Sequence, residues 1–259
     1  MDNVGVAVIG SGGIGTLRAH SCAQIPQVGH MAICDIDTEK LDRLAESVRA
    51  DVVTKDYREA IEDTRVKAVI ISTDEESHYE PAKLAAELGK PVLIEKPFVL
   101  NLDEADDIIQ IAKRNNTPVF VGYTQRFRKR YLLAKQSVVA GNLGDVIMAL
   151  GKIYVTRAVG EAVARRSPNT TPSINTLTYM VDLILWYMEG KKPVEVYARS
   201  ASKVFKKYNR DDFQWLIVTF DDGSVATLGT SWLPPHHWPA YTATMEIDLQ
   251  GTGGSLNID

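Results

Sequence analysis

A glycine-rich turn near the amino terminus is the first set of residues whose types and spacing could do chemistry. It comprises Gly10, Ser11, Gly12, Gly13, Ile14 and Gly15. The turn directly follows the apolar run 4–9 and opens a predicted helix, which is the context in which such a loop binds a dinucleotide. Gly10 permits the tight turn, Gly12 lets the backbone approach a pyrophosphate, and Gly15 lets the helix pack closely on the strand.

An acidic residue, Asp35, ends the next apolar run, twenty residues after Gly15. A carboxylate at this distance accepts hydrogen bonds from the adenosine ribose hydroxyls and repels a 2′-phosphate. The pattern therefore favours NAD over NADP as the cofactor. Lys40 and Arg43 follow closely and are the residues that would favour NADP instead.

A lysine occupies a position at which parallel sheets present groups to a ligand. The apolar runs 68–71 and 92–94 are typical of buried parallel strands, and the segment 81–88 between them is a predicted crossover helix. The second run leads into Glu95 and Lys96 at its carboxyl end, where ligands bind in open parallel sheets. Lys96 is therefore a candidate catalytic residue.

The first half of the chain alternates predicted strands with predicted helices. Such alternation indicates an α/β domain of the Rossmann type, with a parallel sheet covered by helices on both faces. The predicted strands lie near 4–9, 30–35, 68–72, 91–95 and 118–123. The predicted helices lie near 13–23, 38–48, 57–63, 79–88 and 101–115. We expect this nucleotide-binding domain to span 1–123.

The second half of the chain, 124–259, has a different pattern. A predicted helix at 129–140 is followed by strand-like segments, and residues 221–224 have the composition of a hairpin turn. The strand-like segments lie at 145–156, 193–200, 213–220, 224–232 and 242–250. This pattern indicates an α+β domain with a mostly antiparallel sheet, one face of which is open.

One predicted helix of the second half has two distinct faces. Its apolar stripe contains Leu177, Met180, Val181, Ile184, Leu185 and Met188. Its other stripe contains Asn175, Tyr179, Asp182 and Trp186. A solvated face is the ordinary explanation of such a stripe, but tyrosine and tryptophan are unusual there. The second stripe is therefore a candidate functional surface.

Taken together, these residues resemble the glucose-fructose oxidoreductase/inositol dehydrogenase/MocA (Gfo/Idh/MocA) family. The matching segments run in family order over essentially the whole chain. They are the glycine loop, 72–78, 89–97, 121–123 with Arg126 and Phe127, and 251–256. The resemblance implies an NAD(P)-dependent oxidoreductase that acts on a secondary alcohol of a sugar, cyclitol or related polyol. In the resembling family the open sheet face commonly makes a subunit contact, so we expect a homodimer or homotetramer.

The resemblance also implies roles for individual residues. Lys96 would hydrogen-bond the substrate hydroxyl, and Tyr179 would act as the acid/base. The expected substrate contacts are Asn175, Asp182, Arg126 and Trp232. Beyond the glycine loop and Asp35, the expected cofactor contacts are Ser72, Thr73, His78, Glu95 and Lys96. His78 fits a structural capping contact at a helix start equally well.

The chain departs from the family pattern at two places. The family usually has an Asp where this chain has Asn175, and glycines where it has 171–173. Asn175 can orient a sugar hydroxyl but cannot take its proton, which leaves that task to Tyr179. Asp74 and Glu75 replace the usual Pro and Asn, which adds negative charge after the predicted strand 68–72.

Two alternatives to a dehydrogenase stay open. The first is a catalytically silent NAD-binding sensor, which Asn175 and the missing glycines favour. The second is an NAD-dependent glycosidase of the same family, in which a transient oxidation permits elimination. Lys96 and Tyr179 favour a catalytically active protein over a silent sensor. Most relatives continue for several tens of residues beyond the segment matching 251–256, so we expect a second domain that is either compact or truncated at its carboxyl end.

Composition agrees with a two-domain enzyme. The chain has 259 residues, 45% of them hydrophobic, and a net charge of −4. No apolar run approaches membrane-spanning length, and the first predicted strand begins too early for a signal peptide, so we expect a cytoplasmic protein without a membrane partner.

Cys22 and Cys34 fit buried thiols better than a disulfide. No basic and aromatic pattern suggests nucleic acid, and the adjacent His236 and His237 do not make a metal site, so no metal is expected.

Overall fold

The chain forms two units, residues 1–122 and 123–259. A computed structural model of the protein describes residues 3–236 and 243–259. Each unit has its own six-stranded sheet and its own hydrophobic core.

The first unit is a parallel sheet with helices between successive strands. Its strands are β1 (Val4–Ile9), β2 (Val28–Cys34), β3 (Val52–Thr54), β4 (Val66–Ile71), β5 (Val92–Ile94) and β6 (Val119–Val121). Its helices are α1 (Gly13–Ala23), α2 (Thr38–Ser47), α3 (Tyr57–Glu62), α4 (Tyr79–Glu87) and α5 (Leu102–Arg114). The strands pair in the order β3-β2-β1-β4-β5-β6, and these pairings are parallel. The predicted Rossmann-type fold is confirmed, although the short strand β3 was not predicted.

Apolar side chains cover both faces of this sheet. On one face Val8 and Ile33 pack in a cluster with Leu44 of α2. On the other face Ile71 packs in a cluster with Ile108 of α5. Strands buried on both sides must be apolar at nearly every position, which is why they appear in the sequence as continuous apolar runs. The packing holds the carboxyl ends of the strands together at one edge of the sheet.

The second unit is a mixed sheet that is mostly antiparallel, as predicted. Its strands are β7 (Val146–Val155), β8 (Pro193–Ala201), β9 (Phe213–Phe220), β10 (Val225–Ser231), β11 (Ala243–Gly251) and β12 (Ser255–Ile258). Its α-helices are α6 (Lys129–Val139), α7 (Arg157–Arg166) and α8 (Thr178–Tyr187). The strand order is β12-β11-β7-β10-β9-β8, in which β7 and β10 are parallel and the other neighbours antiparallel. Helix α7 and strand β12 were not predicted.

Helix α8 packs against one face of the second sheet. Met180 and Ile184 lie in its core cluster, and Gly151 of β7 leaves room for Met180, because a Cβ there would lie 2.6 Å from the Met180 Cγ. Leu185 was predicted to share this buried stripe, but it is 39% exposed. It lies about 100° further round the helix than Ile184, which turns it away from the sheet.

The opposite face of the second sheet carries exposed apolar side chains. Val218 of β9 lies in the core and Leu216 packs against it, so Ile217 between them faces the other way. Ile217 is 42% exposed, and its cross-strand neighbour Tyr197 is 54% exposed. This is the open face that the sequence pattern predicts.

An ionic cluster lies near the amino-terminal ends of β2 and β4. The Asp63 carboxylate accepts hydrogen bonds from Arg65 Nε (3.0 Å) and Nη2 (2.7 Å), and it lies 3.1 Å from His30 Nε2. The Asp63 side chain is 11% exposed. The hydrogen bonds from Arg65 hold the pKa of Asp63 well below its ordinary value, which outweighs the opposing effect of desolvation.

We expect Asp63→Asn to lower the urea midpoint of unfolding at pH 7. A carboxyl group whose pKa is depressed on folding adds stability above its ordinary pKa of about 4, and this contribution is lost as the pH falls. The difference from the wild type should therefore shrink between about pH 5 and pH 2. Circular dichroism in urea measures it, with Asp106→Asn on the exposed surface of α5 as the control. A difference that stays constant with pH would contradict this role for Asp63.

Candidate functional site

The glycine loop between β1 and α1 has the geometry that close backbone approach requires. Gly10 has φ +99°, and a Cβ there would lie 2.6 Å from the carbonyl carbon of Ser72. A Cβ on Gly15 would collide with the carbonyl oxygen of Gly10. At Gly12 and Gly13, by contrast, a Cβ would meet no atom within 4 Å. The loop is therefore packed on one side and open on the other, which suits a phosphate cradle.

Asp35 is held beside this loop just after β2. Its Oδ2 accepts the Ser11 N–H (2.5 Å), and its Oδ1 accepts the Asp37 N–H (2.8 Å). Two backbone N–H groups thus orient the carboxylate, and each occupies one acceptor position of an oxygen that has two. Asp35 can therefore still accept hydrogen bonds from ribose hydroxyls.

A cleft of about 710 Å³ opens at this edge of the first sheet. Gly10, Asp35, Ser72 and Thr73 line it near the carboxyl ends of β1, β2 and β4. Ile36 also lines it, is 86% exposed and offers an apolar surface to a flat ring. A cleft of this size accommodates a ligand as large as a nucleotide.

Three buried hydroxyl groups beside the loop and the cleft point to a polar ligand. Within residues 3–236 and 243–259, Ser11 Oγ, Ser72 Oγ and Thr73 Oγ1 have no hydrogen-bond partner. A buried hydroxyl without a partner costs free energy that a bound ligand can recover. These groups therefore fit the ribose and phosphate oxygens of the predicted cofactor.

Lys40 lines the cleft but is surrounded by acidic groups. Its Nζ lies 2.9 Å from Asp37 Oδ2. This hydrogen bond raises the pKa of Lys40, and the charges of Asp37, Asp35 and Asp74 raise it further. A 2′-phosphate near Lys40 would therefore meet three carboxylates as well as one ammonium group. Asp74, one of the departures from the family pattern, is exposed at this cleft and adds to the negative field.

His78 and Glu95 hold the segments that follow β4 and β5. His78 is buried, with Nδ1 2.9 Å from the Pro97 carbonyl oxygen and Nε2 3.2 Å from the Thr73 carbonyl oxygen. Because both ring nitrogens face backbone carbonyl groups, the geometry fits the structural alternative for His78 rather than a cofactor contact. Glu95 accepts hydrogen bonds from Arg18 Nε (2.8 Å) and Nη2 (2.5 Å), which joins α1 to the end of β5.

Lys96 is half-buried at the carboxyl end of β5. Its neighbours in the chain are both held in place, Glu95 by Arg18 and Pro97 by His78. The glycine loop follows β1, which lies two strands away in the same parallel sheet. Lys96 and the glycine loop therefore share the ligand-binding edge of that sheet.

A π-helical turn, Ser173–Leu177, precedes α8 in the second unit. Such turns are rare and frequently lie at functional sites. This one contains Asn175 and Thr176, both buried, and leads to the half-buried Tyr179. The sequence pattern predicted an ordinary α-helix here. The feature that could have indicated an irregular turn is the pair of polar residues, Asn175 and Thr176, at the start of a largely apolar helix.

Arg126 and Asp182, both predicted to contact substrate, pair with each other. Arg126 Nε and Nη2 donate to Asp182 Oδ2 (2.8 Å) and Oδ1 (2.6 Å). The Asp182 side chain is 7% exposed, whereas that of Arg126 is 39% exposed. The guanidinium also lies 5.3 Å from the ring centre of Trp186. Asp182 therefore holds Arg126, which is the more accessible member of the pair.

The ring of Tyr179 packs against that of a neighbouring tyrosine. The rings of Tyr123 and Tyr179 meet edge to face, with centroids 6.4 Å apart and an interplanar angle of 78°. The Tyr123 hydroxyl shares a hydrogen bond of 2.7 Å with Thr178 Oγ1. Burial raises the pKa of Tyr123, so this hydroxyl stays protonated. The sequence interpretation did not assign a role to Tyr123, although it belongs to the matching segment 121–123.

Trp232 was predicted to touch the substrate, but its side chain has no exposed surface. Its ring packs in a hydrophobic cluster, 5.6 Å from the ring centre of Phe205, and its Nε1 donates to Thr176 Oγ1 (3.0 Å). Because the side chain has no exposed surface and its one polar atom already donates to Thr176, the prediction that Trp232 contacts the substrate directly is wrong. His237, which was considered above together with His236 as a metal ligand, lies outside the described residues.

The described residues offer few other reactive groups. No cluster of three or more His, Cys, Asp or Glu side chains within 3–236 and 243–259 could hold a metal ion. Cys34 lines the cleft as a free thiol, and burial, assisted by the charge of Asp35, raises its pKa to about 12. Such a thiol stays protonated and unreactive at neutral pH. No helix in the described part of the chain is long and apolar enough to cross a membrane.

Comparison with known proteins shows what this arrangement is similar to. The model of the oxidoreductase family with an NAD-binding Rossmann fold matches residues 4–123, and the model of the Gfo/Idh/MocA C-terminal domain matches residues 131–257. The chain belongs to the Gfo/Idh/MocA family.

Individual relatives extend the likeness over nearly the whole chain. Myo-inositol 2-dehydrogenase of Thermotoga maritima is 32% identical over 98% of this chain and 75% of its own length. The uncharacterized oxidoreductase YrbE of Bacillus subtilis is 26% identical over 97% of this chain and 72% of its own length. The solved structure of scyllo-inositol dehydrogenase from Lactobacillus casei with bound NAD(H) and scyllo-inositol has a TM-score of 0.88 at 21% identity, and the match covers 99% of this chain and 76% of that one.

Membership in the Gfo/Idh/MocA family makes the first unit an NAD-binding domain and the protein an oxidoreductase. The open side of the glycine loop, the fixed Asp35 carboxylate and the three hydroxyls without partners are the features of this chain that would hold NAD. When bound, the nicotinamide ring supplies a hydride acceptor.

We expect this Gfo/Idh/MocA protein to bind NAD(H) at least about tenfold more tightly than NADP(H), a difference of about 1.4 kcal/mol. The Asp35 carboxylate would repel a 2′-phosphate, so Asp35→Ala should narrow the difference. Titration calorimetry with both cofactors measures the two affinities. Asp106→Ala, which removes the same charge from an exposed position of the first unit, is the control. Equal affinities in the wild type would rule out the assignment of Asp35.

Proposed function

We propose that this protein is an NAD-dependent dehydrogenase that transfers hydride between nicotinamide and a secondary alcohol of a polyol, cyclitol or related sugar. The observation that carries the proposal is the position of Lys96, at the edge of the parallel sheet where the glycine loop is open. The 32% identity to myo-inositol 2-dehydrogenase over 98% of the chain supports a cyclitol or polyol as the substrate class.

Lys96 and Tyr179 are the proposed catalytic residues. Oxidation of an alcohol moves a hydride from carbon to the nicotinamide ring and releases the hydroxyl proton, so the protein must accept that proton. Lys96 donates a hydrogen bond to the hydroxyl oxygen, and its positive charge stabilises negative charge that develops there. Tyr179, as the phenolate, takes the proton and becomes the neutral phenol. Its ring packs edge to face against that of Tyr123.

Asn175, Arg126 and Asp182 are the proposed substrate-positioning groups. Asn175 cannot take a proton, so its amide contributes hydrogen bonds only. Arg126 keeps 39% of its side-chain surface exposed while Asp182 holds two of its nitrogens, which leaves further N–H groups of the guanidinium for substrate hydroxyls. Asp182 acts through Arg126, because its own oxygens are paired and nearly buried.

We expect Lys96→Ala and Tyr179→Phe each to lower turnover by about 10²-fold or more while leaving NAD affinity nearly unchanged, because acid/base groups act mainly in the transition state. The assay is a panel of inositols, sugars and linear polyols monitored by NADH absorbance, with calorimetry for NAD affinity. Lys113→Ala, at an exposed position of α5, and Tyr208→Phe, outside the proposed site, are the matched controls.

The outcomes of this assay separate the three hypotheses. Full activity of Tyr179→Phe on an identified substrate would refute the acid/base role of that residue. A wild type that binds NAD but turns over no member of the panel would refute the dehydrogenase and support a silent sensor. Cleavage of a glycoside without net formation of NADH would support the glycosidase instead.

The open face of the second sheet is the proposed subunit interface. Ile217 and Tyr197 on this face are 42% and 54% exposed, and exposed apolar surface of this kind is uncommon on monomers. We expect light scattering at micromolar concentration to show a homodimer or homotetramer. Ile217→Lys should shift the population toward the monomer, whereas Val139→Lys, at an exposed apolar position of α6, should not. A wild type that stays at the chain mass of 28.6 kDa would contradict this interface.

Cytoplasmic residence is part of the same proposal. Cys22 and Cys34 are both free and buried, which suits a compartment that keeps thiols reduced. A pool of NAD in that compartment would supply the cofactor. Fractionation of cells that produce the full-length protein tests this assignment.

A further inference from the structure

Asp37 stands directly before helix α2 and caps its first turn. Its Oδ1 accepts the backbone N–H groups of Glu39 (3.1 Å) and Lys40 (3.3 Å). Its own backbone N–H donates to Asp35 Oδ1 (2.8 Å), so the cap is tied to the residue that is predicted to bind the adenosine ribose. These contacts fix both the position and the orientation of the Asp37 carboxylate.

The second oxygen of this carboxylate binds the Lys40 side chain. Asp37 Oδ2 lies 2.9 Å from Lys40 Nζ, and the two residues are three positions apart in the chain. The Lys40 side chain is 49% exposed, so neighbouring side chains cover only half of it. Because a lysine has a flexible four-carbon stem, the contact with Asp37 decides where the ammonium group lies.

Lys40 also lines a second cavity, of about 380 Å³, beside the glycine loop. Gly12 and Lys40 line both this cavity and the cofactor cleft, so the two spaces adjoin. Arg43 is another wall of the second cavity, and no acidic side chain among residues 3–236 and 243–259 lines it. Arg43 Nε donates to the Glu39 carbonyl oxygen (3.0 Å), which leaves the other N–H groups of the guanidinium for a ligand. A cavity with two basic walls suits a phosphate group.

We propose that Asp37 is a specificity-determining residue that withholds the Lys40 ammonium group from a 2′-phosphate and so helps to exclude NADP. A ribose bound by Asp35 would place its 2′ position in the cleft that Lys40 also lines. A 2′-phosphate there has room to extend into the second cavity, toward Arg43. In the wild type Lys40 can follow it only by giving up the hydrogen bond to Asp37.

This role differs from that of Asp35, which repels a 2′-phosphate by its own charge. Asp37 acts through a second residue, because it keeps a potential phosphate ligand engaged elsewhere. The inference rests on NAD binding by the first unit and not on the proposed dehydrogenase reaction, so binding measurements alone can test it.

Asp37→Asn is the first test, because an asparagine oxygen still caps α2 while the charge that holds Lys40 is gone. We expect this variant to bind NADP about fivefold more tightly than the wild type at low salt, with NAD affinity within about twofold. Titration calorimetry with each cofactor measures both affinities. Asp42→Asn, which removes the same charge from an exposed position of α2, is the matched control and should leave both unchanged.

A double-mutant cycle with Lys40→Met separates release of Lys40 from loss of a repelling charge. In the wild-type background Lys40→Met should change NADP affinity by less than about twofold, because Asp37 already withholds the ammonium group. In the Asp37→Asn background it should remove the gain. A gain of Asp37→Asn that persists without Lys40 would show that Asp37 acts by its own charge and would overturn the inference. So would an NADP affinity that Asp37→Asn leaves unchanged.

Two cofactor fragments locate the effect on the adenosine half. Adenosine 2′,5′-bisphosphate and 5′-AMP differ only in the 2′-phosphate, and each can be titrated as a competitor of bound NADH. Asp37→Asn should bind the bisphosphate about fivefold more tightly and 5′-AMP within about twofold of the wild type. A gain for NADP without a gain for the bisphosphate would overturn the inference.

Asp37→Ser keeps the test decisive if Asp37→Asn disturbs the cap and weakens NAD binding. Serine also caps helices, and its short side chain carries no charge to hold Lys40. The same gain for NADP, lost again with Lys40→Met, is expected of this variant. An Asp37→Ser variant that binds NAD normally and shows no gain for NADP would overturn the inference.

Discussion

The close approach of backbone to backbone around Gly10 and Gly15 is the constraint on which the first unit depends. A side chain at either position would occupy the place of another backbone atom, so β1, α1 and the end of β4 can meet only if both residues are glycine. That contact brings the start of α1 to the carboxyl edge of the sheet. Asp35 is then fixed against the loop by the Ser11 N–H, and the cleft forms beside them.

The second unit obeys a different constraint, which is that buried polar groups must find partners. Asp182 is nearly buried and is matched by two guanidinium nitrogens of Arg126. The Trp232 N–H is fully buried and is matched by Thr176. Each pairing costs less than leaving its members unpaired, and each fixes a side chain next to a residue with a proposed role. In this unit, therefore, the hydrogen bonds that satisfy buried polar groups also hold side chains at or next to the residues with proposed roles.

The electrostatic field near the cofactor cleft is negative because acidic residues surround Lys40, not because basic residues are absent. Lys40 lines the cleft, but Asp37 binds it directly, and Asp35 and Asp74 add to the negative field around it. Asp74, which departs from the family pattern, thus acts in the same direction as Asp35. Both disfavour an additional phosphate group near the adenosine ribose.

The sequence alone determined the features that depend on neighbours in the chain. Continuous apolar runs predicted the parallel strands, glycine spacing predicted the loop, and the segment 221–224 predicted the turn between β9 and β10. The carboxyl end of β5 could also be recognised, which is why Lys96 was predicted to be a catalytic residue. Local periodicity carries this information because a helix repeats every 3.6 residues and a strand every two, whatever surrounds them.

Only the tertiary structure decided which polar side chains are buried and which partners they have. Arg126 and Asp182 are 56 residues apart in the chain, as are Trp232 and Thr176, and no local pattern links them. Trp232 therefore looked like a ligand contact in the sequence, whereas in the fold it is fully buried and donates to Thr176. The π-helical turn, the strands β3 and β12 and the helix α7 were missed for the same reason. The strands and the turn are short, and α7 packs against Phe205 and Trp232, which are distant in the chain.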